Sequence, residues 1–148
     1  MTRFVYVTYI RTTAAKLWQA LTDQEFISQY WFGCAQECDW KVGSPWRMLT
    51  PDGALADSGE VLEIEPGKRL VLSWRNESER LRDEGVSRMT YDLDQRGEVV
   101  KLTVTHEIDK DGAKLIDAVS IGWPAILSSL KTLLETGDAP AQDRSMLA

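Results

Sequence analysis

The sequence is poor in metal-binding and redox-active side chains, with one histidine, His106, and two cysteines, Cys34 and Cys38, among 148 residues. A structural zinc site needs about four such ligands, so we predict no metal site. On a β-strand the two cysteine Cα atoms would lie about 13 Å apart, too far for a disulfide, although a helix or loop would weaken that objection. We therefore interpret both cysteines as reduced structural thiols.

Phosphate-binding loops, basic runs and long apolar runs are also missing. No G-x-G-x-x-G or P-loop pattern occurs, so we predict no cofactor. The 17 basic residues are scattered among 23 acidic ones and the net charge is −6, which argues against nucleic acid as a partner. No apolar stretch approaches the about 18 residues of a membrane-spanning helix. The N-terminal residues show an alternating pattern without the continuous apolar block of a signal peptide, so the sequence predicts a cytoplasmic protein.

The sequence does contain enough apolar material for one folded domain. Of its 148 residues, 43% are hydrophobic and 27% are charged, which is typical of a globular protein with a core. Residues 4–10, FVYVTYI, are dense in β-branched and aromatic side chains and predict a first strand. Thr12 or Thr13 then caps a helix. Asp23 caps a second short helix, which is predicted to run to about Tyr30 or Trp31.

The middle of the chain has the pattern of consecutive strands joined by turns. Pro51-Asp52-Gly53 is a turn signal, because Pro presets φ and Gly accepts a positive φ. The predicted strands are residues 34–39, 44–50, 57–64, 69–75, 86–94 and 98–108. Short turns between consecutive strands favour an antiparallel meander.

The longest helical signal lies near the C-terminus. Its broad apolar stripe consists of Trp123, Ile126, Leu127, Leu130, Leu133 and Leu134. Pro124 fits the first turn of a helix, so we predict that the main helix begins near residues 122–123. The sequence also allows a short separate helical turn around residues 114–119. Gly137 predicts the helix end, and residues 138–148 are predicted to be a disordered tail.

This order of elements predicts an α+β domain over residues 1–137. A curved antiparallel sheet of about six to seven strands would grip the long C-terminal helix, with two short helices after strand one. Four blocks of sequence resemble the SRPBCC superfamily, the helix-grip fold of START domains and the birch allergen. They are LWQALTD at residues 17–23, GEVLEIEP at 59–66, LVLSW at 70–74 and GWPAILSSLKTLLETG at 122–137.

Within that superfamily the chain resembles the family named after the activator of heat-shock-protein ATPase, C-terminal-domain-like. The resemblance spans about residues 3–137. It implies the helix-grip fold and an internal cavity. It implies no particular activity, because the superfamily includes lipid and hormone carriers as well as polyketide cyclases and aromatases.

Six tryptophans in 148 residues is a high count. Each one singly is interpreted as core, but large rings also give a cavity apolar walls and N–H donors, so two or three are expected to line a ligand space. His106 is the one catalytic candidate, and its simpler interpretation is a hydrogen-bonded strand histidine. The predicted cavity residues are Tyr30, Trp31, Trp46, Trp74, Met89, Tyr91, His106, Trp123, Ile126 and Leu127.

Three functions are compatible with this pattern. The preferred one is binding of a small hydrophobic or amphipathic molecule in the cavity, without catalysis. The second is a protein-binding module related to co-chaperone domains, which requires an exposed patch on the sheet or the helix pair. The third is a cyclase- or dehydratase-type enzyme that uses His106 with Glu60 or a tyrosine in the same cavity. The sequence does not indicate an oligomeric state.

Overall fold

A computed structural model describes residues 1–147 of the chain. In chain order its elements are β1 (Thr2–Ile10), α1 (Ala14–Thr22), a 3-10 helix (Phe26–Gln29), β2 (Ala35–Cys38), β3 (Pro45–Leu49), β4 (Leu55–Glu65), β5 (Arg69–Asn76), a 3-10 helix (Arg82–Glu84), β6 (Ser87–Arg96), β7 (Val99–Ile108), α2 (Lys114–Thr136) and a 3-10 helix (Arg144–Leu147).

The strands form one antiparallel sheet in the order β1-β7-β6-β5-β4-β3-β2. Strands β2 to β7 therefore pair as a meander, and β1 adds to β7 at one edge. The register shifts between Met48 and Leu49, and again between Val61 and Glu63. Such bulges bend and twist the strands that carry them. The curved sheet grips α2, which confirms the predicted α+β helix-grip fold.

One face of the sheet packs against α2 and the other faces solvent. On β7, Val100, Leu102, Val104 and His106 are buried at every second position. This alternation follows from the period of two along a strand. The core that they form with α2 is where the candidate site residues lie.

Helix α2 is longer than the sequence predicts. It runs without a break over Lys114–Thr136 with Pro124 in its interior, so the predicted start near residues 122–123 is wrong. Its first turn is held by tertiary contacts, because Leu115 and Ile116 pack in a second apolar cluster with Leu81. The predicted end is confirmed, since Gly137 closes the helix with a φ of 86°. Nowhere in residues 1–147 is a helix long and apolar enough to cross a membrane.

The two short helices after β1 are present, and the second is a single 3-10 turn. The Thr13 side chain caps α1 by accepting a hydrogen bond from the Lys16 N–H at 3.2 Å. Asp23 Oδ1 accepts hydrogen bonds from the N–H groups of Glu25 and Phe26 at 2.9 and 2.7 Å. Both caps are the ones that the sequence predicts.

The segment after Gly137 turns back onto the domain. Gln142 Nε2 donates to the Tyr30 carbonyl at 2.8 Å and to Ser129 Oγ at 3.2 Å, while its Oε1 accepts from the Phe32 N–H at 2.7 Å. Ala148, the last residue of the predicted tail, lies outside the described residues. That residues 1–137 form a domain without this segment stays a prediction.

Candidate ligand-binding site

A pocket of about 590 Å³ opens beside the N-terminal half of α2. Ala118, Val119 and Gly122 of the helix form one side. The opposite side comes from β4 and β5 and from the segment between α1 and β2. The tail contributes Arg144 and Leu147.

Three tryptophans of the buried core line this pocket. The ring centroids of Trp31 and Trp74 lie 6.0 Å apart, and the Trp123 ring lies 5.2 Å from Trp31 and 5.8 Å from Trp74. A turn follows Trp31, closed by a hydrogen bond from the Cys34 N–H to the Trp31 carbonyl at 2.9 Å. Phe32 and Gly33 both have a positive φ, of 48° and 74°.

The ten predicted cavity residues divide between the pocket and the core. Trp31, Trp74, Trp123 and Ile126 border the pocket. The other six are buried in the apolar core and do not border it: Tyr30, Trp46, Met89, Tyr91, His106 and Leu127. Three of them have hydrogen-bonded side chains: the Tyr30 hydroxyl donates to the Ala20 carbonyl at 2.6 Å, Trp46 Nε1 donates to Gln36 Oε1 at 3.1 Å, and His106 is bonded through its ring nitrogens.

His106 is fully buried and both its ring nitrogens are hydrogen-bonded. Trp123 Nε1–H donates to His106 Nδ1 at 3.1 Å, so the ring carries its proton on Nε2. That proton is donated to Ser87 Oγ at 2.8 Å, and the Ser87 hydroxyl donates in turn to the Trp74 carbonyl at 2.9 Å. Burial lowers the pKa of His106 from 6.5 to about 3, so the imidazole is neutral. The histidine on β7 thus links the Trp123 side chain of α2 to Ser87 on β6 and, through it, to the backbone of β5.

Asp57 is a pocket residue that the sequence analysis did not single out. It lies on β4, is only 8% exposed and borders the pocket. Its Oδ1 accepts a hydrogen bond from Trp74 Nε1 at 2.9 Å. Burial raises the pKa of Asp57 to about 7, with a smaller increase from Glu77, and the Trp74 hydrogen bond opposes this increase. The sequence did offer a signal for it. Asp57 lies four residues before the apolar Val61, and an even spacing on a strand places both side chains on the inward face.

The other polar groups at the pocket include a buried thiol, two exposed arginines and the side chains of Thr50, Asn76 and Ser78. Cys34 borders the pocket, and burial raises the pKa of its thiol to about 11, so it is protonated and a poor nucleophile. Both Cys34 and Cys38 are free and buried. Arg80 and Arg144 lie at the rim. Across residues 1–147, no group of three or more His, Cys, Asp or Glu side chains is arranged to hold a metal ion.

Residues 11–135 match the family described as "Activator of Hsp90 ATPase homolog 1-like protein". The chain belongs to this family. The match covers every element from α1 to α2 and therefore all the pocket walls except the tail. Among curated proteins, no sequence matches.

Solved structures share this family member's fold. CalU16 from Micromonospora echinospora is 22% identical with a TM-score of 0.75, covering 97% of this chain and 78% of that one. The Aha1 dimer from Colwellia psychrerythraea is 18% identical with a TM-score of 0.73, covering 93% and 98%. An HSP90 activator from Plasmodium falciparum is 20% identical with a TM-score of 0.71, covering 90% and 96%. At these identities the likeness shows the fold alone.

Proposed function

We propose that this protein binds a small hydrophobic or amphipathic molecule in the pocket beside α2. The observation that carries the proposal is a space of about 590 Å³ walled by Trp31, Trp74 and Trp123. Small-molecule sites typically enclose about 300 to 1,000 Å³ and combine apolar walls with a few polar groups. Removing apolar ligand surface from water at such walls supplies the driving force. Location in the cytoplasm is part of this proposal.

Catalysis at His106 is not part of the proposal. Both ring nitrogens are occupied inside the core, and the side chain does not border the pocket. Glu60, its predicted partner, lies on the exposed side of β4. A general acid or base must reach the substrate directly or through one water. The geometry of this histidine favours a structural role.

A pocket-filling variant tests the proposal. A thermal-shift panel of lipids, polyketides and flavonoids identifies binders, and tryptophan fluorescence then measures their Kd. In Gly122→Leu the new side chain starts in open space, because no atom lies within 4 Å of a Cβ at this position. We expect it to occupy the pocket and weaken binding about tenfold or more, a change of about 1.4 kcal/mol.

Ser128→Leu supplies the matched control, because it adds the same side chain at an exposed position of α2. It should bind like the wild-type protein. A panel in which nothing binds the wild type, or equal affinities for Gly122→Leu and the wild type, would remove the proposal.

A second candidate function is protein binding, and the edge strand β1 favours it. Val5, Val7 and Tyr9 are exposed on one face of this strand, which pairs only with β7. An exposed apolar edge strand can accept an extended segment of another chain. Val7→Lys should abolish partner capture and any self-association seen by sedimentation velocity. Val86→Lys, at an exposed loop position, should not. Partner capture that survives Val7→Lys would exclude β1 as the interface.

A further inference from the structure

Asp57 places one uncommitted carboxyl oxygen at the pocket. Its Oδ1 accepts the Trp74 hydrogen bond, whereas Oδ2 accepts no hydrogen bond from residues 1–147. No Lys or Arg of the described chain forms an ion pair with this side chain, and the charged group that raises its pKa is the carboxylate of Glu77, which itself pairs with Arg75 and Arg82. A carboxylate that is 8% exposed and has no cationic partner is costly, because its charge is desolvated and the single Trp74 hydrogen bond compensates only in part.

The indole rings around the pocket are suited to bind a positively charged group of a ligand, which would pair with Asp57. Tryptophan has the aromatic face that attracts cations most strongly, and the attraction is greatest in a desolvated site. Trp31, Trp74 and Trp123 all border the same pocket as Asp57. A buried carboxylate combined with indole rings is an arrangement that recognises an organic ammonium group.

We infer that the pocket selects an apolar molecule carrying a protonated amine, with the ammonium donating to Asp57 Oδ2 and the apolar body packed against the indole rings. This inference rests on the ligand-binding function proposed above. The raised pKa of Asp57, about 7, agrees with a carboxyl group that lacks a cation in the free protein. Arg80 and Arg144 are exposed at the rim, where solvent and salt weaken the effect of their charge, and neither forms an ion pair with Asp57, although Arg144 acts on the Cys34 thiol of the same pocket.

Three probes that share one apolar body test the inference: naphthylethylamine, naphthylethanol and ethylnaphthalene. Binding is followed by NMR through the indole Nε1–H resonances of the pocket tryptophans, at about pH 8, where Asp57 is ionised and the amine is protonated. The wild type should bind the amine about tenfold or more tightly than the alcohol, because a charge-assisted hydrogen bond and a cation–π contact are both added.

Asp57→Asn removes the charge but keeps an oxygen that can accept the Trp74 hydrogen bond. It should bind ethylnaphthalene like the wild type and lose the preference for the amine. Asp39→Asn, at an exposed position, makes the same change in net charge and should keep the preference.

The outcomes separate the two proposals. Equal affinities of amine and alcohol in the wild type, or a preference that survives in Asp57→Asn, would overturn the amine inference while ligand binding stands. Failure of all three probes to bind the wild type would overturn both. If Asp57→Asn does not fold, the amine-to-alcohol ratio in the wild type decides alone.

Discussion

His106 illustrates how a titratable residue can be fixed in one state by its neighbours. Trp123 occupies Nδ1 and Ser87 occupies Nε2, so a second proton has no place on the ring. Charging the ring would also break the Trp123 hydrogen bond inside the core. The residue therefore contributes stability through its neutral form, and this contribution depends on pH.

We predict that His106 stays neutral with its proton on Nε2 throughout the range from about pH 5 to about pH 8. Its folded pKa of about 3 lies below the ordinary 6.5, so its stabilising contribution is complete above 6.5 and is lost as the pH falls towards 3. The loss amounts to about 1.4 kcal/mol per pH unit in that window. Long-range ¹⁵N NMR reports both the tautomer and the titration. A midpoint between about pH 6 and 7 would show that the ring is accessible to water.

Asp57 should produce the opposite pH dependence. Its folded pKa is raised to about 7 from 3.8, so the folded state holds its proton longer and stability is lost as the pH rises through that window. Asp57→Asn cannot ionise and escapes this loss. Relative to the wild type, its free energy of unfolding should therefore rise by about 2 to 3 kcal/mol between about pH 5 and about pH 8.

Urea unfolding of both proteins at several pH values measures this difference. Asp39→Asn is the control for removing one exposed negative charge, and its difference from the wild type should change little over the same range. A constant difference between Asp57→Asn and the wild type would mean that the carboxyl group is solvated.

The tryptophans of the candidate site could be predicted from residue type, whereas the role of Asp57 depends on how the strands pair. Large aromatic side chains near the gripping elements pointed to Trp31, Trp74 and Trp123, because few other side chains can wall a cavity. Asp57 was missed because its significance depends on Trp74, which lies on the neighbouring strand. Period-two alternation places Asp57 on the inward face. It does not reveal that the Trp74 indole N–H donates a hydrogen bond to the carboxylate.

At the scale of elements, the start of α2 shows why local sequence rules failed. Pro124 and Gly122 both oppose a helix interior, and Ala113 offers no capping side chain. The cap comes instead from Glu84, whose Oε1 accepts a hydrogen bond from the Leu115 N–H at 3.0 Å while the other oxygen contacts Lys110. A cap supplied by a residue from another element, here the 3-10 helix Arg82–Glu84, is not visible in the local sequence of α2. The strands, whose burial alternates locally, were predicted to within a few residues.

Gly122→Ala should stabilise the protein. The residue lies inside α2, and an added Cβ would meet no atom within 4 Å. Replacing a helix-interior glycine by alanine reduces the backbone entropy lost on folding, which is worth about 1 kcal/mol. Thermal and urea unfolding measure the gain. A loss of stability would indicate that α2 needs flexibility at this position, next to Pro124.

Gly59→Ala, the same chemical change on β4, should have the opposite effect. Here the new Cβ would lie 1.8 Å from the carbonyl oxygen of Ser73 on β5, so the two strands would have to separate. Overpacking of this kind costs about 2 kcal/mol or more. Urea unfolding measured alongside Gly122→Ala gives the comparison. Unchanged stability would mean that β4 and β5 do not approach this closely in solution.

At the scale of the whole molecule, the tail joins parts of the fold that are far apart in sequence. Gln142 connects the backbone of Tyr30 and Phe32 with Ser129 on α2, and Leu147 lines the pocket. The core, by contrast, is built mainly from the sheet, α1, α2 and the segment between α1 and β2, and from the tail the partly buried Ala139 packs against it. We therefore predict that a chain ending at Gly137 folds, as the sequence predicts, but is less stable by about 1 to 3 kcal/mol, because the Gln142 hydrogen bonds are lost together with the exposed ones between Asp138 and Thr136.

Truncation should also remove one wall of the pocket and so shorten the residence time of any bound ligand. Gln142→Ala separates these two effects, because it removes the hydrogen bonds but keeps the chain that carries Leu147. Urea unfolding and ligand dissociation rates, measured on both variants, distinguish the outcomes. If truncation unfolds the chain, the tail belongs to the core and the domain boundary at residue 137 is wrong. If neither variant differs from the wild type, the Gln142 hydrogen bonds contribute nothing in water, and the pocket is formed without the tail, by α2, the sheet and the segment between α1 and β2.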